Sequence, residues 1–63
     1  MNLVAFYESE LVRYFDHALK HYGESYCRDT LKVWADTGRD KRNLYAPAYQ
    51  RAVATCLPKL PMQ

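Results

Sequence analysis

Glycine, proline and cysteine are scarce in this chain, which excludes two broad classes of protein. The 63 residues include two glycines, three prolines and two cysteines. Disordered segments are rich in glycine, proline and serine and poor in aromatic residues, so the composition excludes a disordered chain. Small secreted scaffolds depend on several disulfide bonds, which two cysteines cannot supply. We therefore expect free thiols and a cytoplasmic location.

Long apolar runs are also absent. The longest uninterrupted apolar segment covers residues 3–7, whereas a helix that crosses a bilayer needs roughly 20 such residues. The chain does not open with a basic segment followed by an apolar one, as a secretory signal would. We expect neither export nor a membrane partner.

Aromatic residues, by contrast, are abundant. Six tyrosines, two phenylalanines and one tryptophan make up 14% of the chain. A domain of this size buries only about 60% of the surface that its unfolded chain exposes, so its core is marginal. Such domains usually need a disulfide, a metal or a partner subunit. We predict one small domain, without internal repeats, that associates with a partner.

The first part of the chain has the periodicity of an amphipathic helix over residues 3–22. Its apolar face comprises Val4, Tyr7, Leu11, Phe15, Ala18, Leu19 and Tyr22. Asn2 is suited to cap the amino end, and Gly23 to end the helix in a left-handed conformation.

A second helix is predicted over residues 25–37, with Ser25 as its N-cap and Gly38 as its terminator. Its apolar residues cover an arc of about 200°, which is too wide for one neighbouring helix to bury. We therefore expect this helix to be the central element, in contact with two others or with a second subunit.

A third helix is predicted over residues 46–57, and two starts compete. Either Asn43 is the N-cap, or Ala46 is the flanking residue and Pro47 takes the favoured first helical position. Pro58 ends the helix, and residues 58–63 are expected to form an extended tail. The predicted fold is an all-α, three-helix domain in which the first two helices are antiparallel and the third crosses both.

The residues that could support catalysis or metal binding do not form a coherent set. His17, His21, Cys27 and Cys56 match the ligand types of a zinc site, but the histidines project from the polar side of their helix and the cysteines from apolar faces. Three short helices leave little volume for an active-site pocket. We predict no enzymatic activity, no cofactor and no metal. Packing of the second helix on the third would allow a disulfide between the two cysteines, but we do not expect one.

The positive charge is concentrated in the last third of the chain. Residues 39–63 carry a formal charge of +4, whereas residues 1–23 and 24–38 each carry −1. Arg39, Lys41 and Arg42 lie in the connection before the third helix, and Arg51 lies on that helix. This arrangement suggests a helix-turn-helix whose last helix enters a groove of nucleic acid, although the connection is longer than the usual turn.

Association with protein has more support in the sequence. Tyrosine is favoured at interfaces because it provides a large rigid contact area and a polar tip. Phe6 and Tyr14 lie away from the centre of the first apolar face, and the second helix has excess apolar surface. The predicted partner-binding residues are Phe6, Tyr14, Tyr26, Val33 and Trp34, with a homodimer as the favoured assembly.

The chain resembles a known type of protein over its whole length. The amphipathic opening NLVAFYESELVRYFDHALKHYGESY, the central DTLKVWADTGRDKR and the short proline-punctuated end look like the small accessory proteins encoded in the early regions of lambdoid bacteriophages and prophages. This resemblance implies a non-enzymatic protein of the host cytoplasm that tunes host or phage development by contacting another macromolecule. The sequence thus favours a regulatory protein that binds protein, and a nucleic-acid-binding regulator is the alternative.

Overall fold

The computed structural model describes residues 2–61, which form three α-helices and one short 3-10 turn. The helices are α1 (Leu3–Tyr22), α2 (Glu24–Gly38) and α3 (Ala46–Cys56), and the 3-10 turn covers Leu57–Lys59. No strand occurs among the described residues. The predicted all-α, three-helix fold is therefore confirmed. None of these helices combines the length and apolar character that crossing a membrane requires.

The amino end of α1 has the predicted cap. The Asn2 side chain accepts a hydrogen bond from the backbone N–H of Ala5 at 3.1 Å, which satisfies one of the free donors of the first turn. Lys20 and His21 lie in the last turn, where the helix dipole favours positive charge.

Gly23 alone separates α1 from α2. Its φ of +86° is positive as predicted, but its ψ of −179° is extended rather than left-handed helical. This combination is essentially restricted to glycine. The predicted N-cap at Ser25 is wrong, because α2 begins at Glu24 and the Cys27 N–H bonds to the Gly23 carbonyl at 3.3 Å.

Gly38 has a different role from the predicted one. It belongs to α2 and does not have a positive φ. A Cβ atom at this position would lie 2.9 Å from Cγ of Gln50, and the Gln50 side-chain amide donates a hydrogen bond to the Gly38 carbonyl at 2.5 Å. The missing side chain therefore allows α3 to approach the end of α2.

The start of α3 differs slightly from both predicted alternatives. Ala46 is the first helical residue, Tyr45 flanks it, and Pro47 follows inside the first turn, where a missing N–H is tolerated. Asn43 does not cap α3. Its side chain instead accepts a hydrogen bond from the Tyr45 N–H at 2.8 Å and stabilises the connection.

The central element is α3 rather than α2, contrary to the sequence prediction. It has more contact with α1 and with α2 than these two helices have with each other. Ala48, Ala52 and Cys56 on α3 are fully buried, and such small side chains let the neighbouring backbones approach. Tyr7 contacts Tyr49 near the start of α3, and Asp16 pairs with Lys59 just beyond its end, so α1 and α3 run in the same direction. The second helix, α2, runs antiparallel to both.

The carboxyl-terminal segment is more ordered than predicted. Leu57–Lys59 form the 3-10 turn, and Leu60 is buried in the core at 6% exposure. The Arg28 guanidinium donates a hydrogen bond to the Pro61 carbonyl at 2.7 Å. The prediction of an extended tail is wrong for the described part of this segment, because Leu60 packs against the helices and buries its apolar side chain. Residues 62 and 63 lie outside the described residues.

Candidate interaction surface

The candidate zinc ligands do not come together. Cys27 and Cys56 are free thiols buried in the core, whereas His17 and His21 lie exposed on α1. Within residues 2–61 no three metal-binding side chains are grouped. The four-residue site considered from the sequence is therefore not formed.

The environment of the cysteines disfavours nucleophilic chemistry as well. Burial raises the pKa of the Cys27 thiol, and burial is the main cause that raises the pKa of the Cys56 thiol to about 11. The thiolate is the reactive form of cysteine, so both groups are poor nucleophiles at neutral pH.

Three tyrosines on α1 and α2 form an exposed cluster, which we call the outer triad (Tyr14, Tyr22 and Tyr26). Their exposed fractions are 43%, 61% and 42%. The hydroxyl groups of Tyr14 and Tyr26 are 2.5 Å apart, and the ring centroids of Tyr22 and Tyr26 are 4.9 Å apart. The side chains thus hold one another in place while their rings remain accessible to solvent.

Contact within the outer triad also affects its ionisation. The hydrogen bond to Tyr26 is the largest cause that raises the pKa of Tyr14, and partial desolvation acts in the same direction. Tyr14 therefore remains a neutral phenol at physiological pH. A neutral hydroxyl can both donate and accept hydrogen bonds at an interface.

Two further apolar side chains on the same two helices are exposed. Val33 lies on α2 two turns beyond Tyr26 and is 62% exposed, and Phe6 on the outer side of α1 is 56% exposed. We call the outer triad together with Phe6 and Val33 the aromatic surface. It contains four of the five residues predicted to bind a partner, and it adds Tyr22.

Trp34 does not belong to the aromatic surface. It is 7% exposed and is part of the core. Its ring lies 6.4 Å from the ring of Phe15 and 6.2 Å from that of Tyr49, measured between centroids. The prediction of Trp34 as a docking residue is wrong because α1 and α3 both cover this side of α2.

Tyr22 was missed because the periodicity of α1 places it on the apolar face. The helix ends at this residue, beyond the part of α1 that the core covers, and Tyr22 packs instead against Tyr26 across Gly23. The adjacent glycine was the available signal, because an apolar residue next to a chain reversal lies at the edge of the core.

The other three tyrosines form a second cluster, the inner triad (Tyr7, Tyr45 and Tyr49), where α1 meets the start of α3. The ring centroid of Tyr7 lies 4.5 Å from that of Tyr45 and 5.6 Å from that of Tyr49. The hydroxyl groups of Tyr7 and Tyr49 are 3.0 Å apart. This hydrogen bond, followed by burial, raises the pKa of Tyr49 to about 12.

The predicted basic patch is largely paired with acidic side chains. Arg39 forms an ion pair with Asp36, and the Arg42 side chain lies 3.6 Å from the Asp40 carboxylate. Arg51 lies 3.8 Å from Glu8 on α1, so it points toward the α1–α3 contact rather than standing alone on an exposed face. Among these cations Lys41 has no ion pair within residues 2–61.

The connection that carries these cations is shaped by short polar side chains. The Asp40 carboxylate accepts a hydrogen bond from the Arg42 backbone N–H at 3.0 Å, which makes a local turn. An open groove of about 680 Å³ lies between this connection and α3 and is lined in part by Lys41, Leu44 and Pro47. Leu44 is 86% exposed beside it.

Comparisons with known proteins yield no relative for this chain: no family model, no curated protein and no solved structure matches it.

Proposed function

We propose that this chain is a non-enzymatic binding protein that associates with protein through the aromatic surface. The observation that carries the proposal is the exposure of the outer triad together with its internal packing. Tyrosine loses little conformational freedom on binding because it has few rotatable bonds. Contacts among Tyr14, Tyr22 and Tyr26 restrict the rings further, so a partner meets a surface that is already ordered.

A second copy of the chain is the partner that we propose. Glu10 and Arg13 form an ion pair at 3.0 Å immediately before Tyr14 on α1, so the charges at this edge compensate each other. Two copies that meet here face no strong repulsion between like charges. A two-fold arrangement places the same residues of each copy against each other, and the planar rings and apolar side chains of the aromatic surface suit such an interface.

The role of such an assembly is proposed to be regulatory. The two buried thiols are poor nucleophiles, and the resemblance to early-region accessory proteins of lambdoid phages implies action by contact with host or phage components. In this mechanism the aromatic surface provides the apolar anchors of an interface. Lys41, which has no ion pair within residues 2–61, attracts an acidic host or phage component toward the assembly.

Sedimentation velocity on Val33→Asp, with Leu44→Asp as the matched control, tests the assembly. Both substitutions replace an exposed apolar side chain by the same charge, but Leu44 lies on the connection and outside the aromatic surface. At protein concentrations of tens of micromolar, we expect the wild type and Leu44→Asp to self-associate. We expect Val33→Asp to be monomeric, because its interface would bury an unpaired carboxylate.

Phe6→Asp tests a second residue of the aromatic surface, and we expect it to weaken self-association as well. Circular dichroism of every variant confirms that the helices are retained. A monomeric wild type at these concentrations contradicts the proposed self-association. Equal behaviour of Val33→Asp and Leu44→Asp places the contact elsewhere on the molecule.

Nucleic-acid binding through residues 39–51 is the alternative prediction, and it has less support in the structure. Arg39, Arg42 and Arg51 are each paired with a carboxylate, which reduces the charge that they offer to phosphates. The outer side of α3 contributes few donors for base edges. Binding to duplex DNA that weakens steeply with salt would favour this alternative.

A further inference from the structure

Two histidines lie one helical turn apart on the exposed side of α1. His17 and His21 have an i, i+4 spacing, and the centroids of their rings are 4.3 Å apart. Both residues are exposed. Within residues 2–61 neither ring forms a hydrogen bond with another side chain or with the backbone. Both imidazoles are therefore available to an external ligand.

The i, i+4 spacing allows both imidazoles to bind the same ion. Side chains four residues apart on a helix project in nearly the same direction, so their terminal atoms can converge on one point. A zinc ion bonds imidazole nitrogen at about 2.0–2.1 Å, and two nitrogens on one tetrahedral ion are about 3.3 Å apart. The two rings already lie beside each other, with their centroids 4.3 Å apart, and rotation of the side chains is the movement that would turn one nitrogen of each ring toward a common ion.

We propose that His17 and His21 form a two-imidazole binding site for a divalent transition-metal ion such as Zn²⁺, Ni²⁺ or Cu²⁺. Imidazole suits these ions, whereas Mg²⁺ and Ca²⁺ need oxygen ligands. The site differs from the four-residue set considered from the sequence, because the buried cysteines take no part in it. Two imidazoles leave the other coordination positions to water or to a donor from outside the chain.

The rigid helix determines the strength of the site. Once one imidazole holds the ion, the other is close by, and the second bond forms within the molecule at a high effective concentration. Removing either ring leaves a single weak ligand. Both rings are therefore required for binding, and either one alone has little affinity.

A titration with Zn²⁺ followed by the imidazole proton signals in NMR tests this proposal, because the chain contains two histidines and both are expected to respond. We expect both signals to shift together in a slightly alkaline buffer and Mg²⁺ to leave them unchanged. His17→Gln and His21→Gln should each weaken Zn²⁺ binding by about a hundredfold, since chelation is lost.

A rescue variant controls for general effects of substitution. Arg13→His combined with His21→Gln recreates the i, i+4 pair one turn earlier on α1, with His17 as the shared ligand. We expect this double variant to regain most of the affinity. All of these positions are exposed, and circular dichroism checks that α1 is retained.

Three outcomes would overturn the proposal. The first is that either single variant binds Zn²⁺ as tightly as the wild type does. The second is failure of the rescue variant to bind better than His21→Gln. The third is an intense thiolate absorption band on addition of Co²⁺, which would assign the ion to Cys27 or Cys56 instead.

Discussion

The two tyrosine triads contain the same residue type in equal number, yet they differ in what covers them. The inner triad lies where α1 meets the start of α3, and Tyr49 also packs against Trp34 of the core. The outer triad lies on the open side of the α1–α2 pair, with exposed fractions from 42% to 61%. Each has one hydroxyl-to-hydroxyl hydrogen bond. Position against the third helix, rather than side-chain chemistry, decides which triad packs into the fold and which remains exposed to solvent.

The largest expected difference between the triads is in stability. Tyr49→Ala removes a ring that packs on Tyr7 and Trp34, and we expect it to lower the free energy of unfolding by about 2–3 kcal/mol. Tyr26→Ala makes the same chemical change on an exposed edge, where a loss of about 1 kcal/mol or less is expected. Urea denaturation of the two variants measures the difference. Equal losses would show that the outer triad is also structural.

A smaller effect is expected at Gly23, which lies between Tyr22 and Tyr26. A Cβ atom there would meet no atom within 4 Å, so the cost of Gly23→Ala comes from the backbone conformation alone. We expect urea denaturation to show a loss of about 2 kcal/mol in unfolding free energy.

A chain made by chemical synthesis with D-alanine at position 23 is the matched control. The mirror-image residue favours a positive φ, so we expect it to retain the stability of the glycine form. A loss as large as that of the L-alanine variant would contradict the assignment of the cost to the backbone conformation.

The smallest expected effect appears at high pH. The pKa of Tyr49 is about 12 in the folded protein, against 10.0 for an ordinary tyrosine. Above about pH 10 the unfolded chain loses this proton while the folded chain keeps it, so stability falls as the pH rises. Cys56, with a pKa of about 11 against 9.0, acts in the same direction from a lower pH.

Tyr49→Phe isolates the contribution of Tyr49. It removes the titration of that phenol and leaves Tyr14, Cys27 and Cys56, whose pKa values are also raised, so the alkaline decline in stability should become shallower above about pH 10. Thermal unfolding of the wild type and the variant over this range measures the change. Parallel pH profiles would contradict the assignment to Tyr49.

Much of the fold could be predicted from local signals. The periodicity of α1 and the cap at Asn2 are properties of a short segment, and both agree with the structure. The errors concern features that depend on distant residues. Gly38 resembled a helix terminator, but its missing side chain serves the approach of Gln50. Leu60 followed a proline in a segment that resembled a tail, and the core nevertheless buries it.

The candidate surface was predictable to a similar degree. Exposure of Phe6 and Tyr14 followed from their positions away from the centre of the first apolar face, and exposure of Tyr26 and Val33 followed from the excess apolar arc of the second helix. Trp34 could not be assigned in the same way, because its exposure depends on whether one neighbour or two cover α2. The pairing of Arg51 with Glu8 likewise joins residues far apart in sequence, so no pattern along the chain could show that this charge is compensated.

The two buried thiols give the molecule a built-in reporter of its own motions. Cys27 lies on α2 and Cys56 at the end of α3, and neither exposes any surface in the closed structure. A thiol-specific reagent can reach them only when the helices separate or the segment around Leu60 lifts away. The rate at which each cysteine is labelled therefore measures how often its part of the bundle opens, without the need for an engineered cysteine.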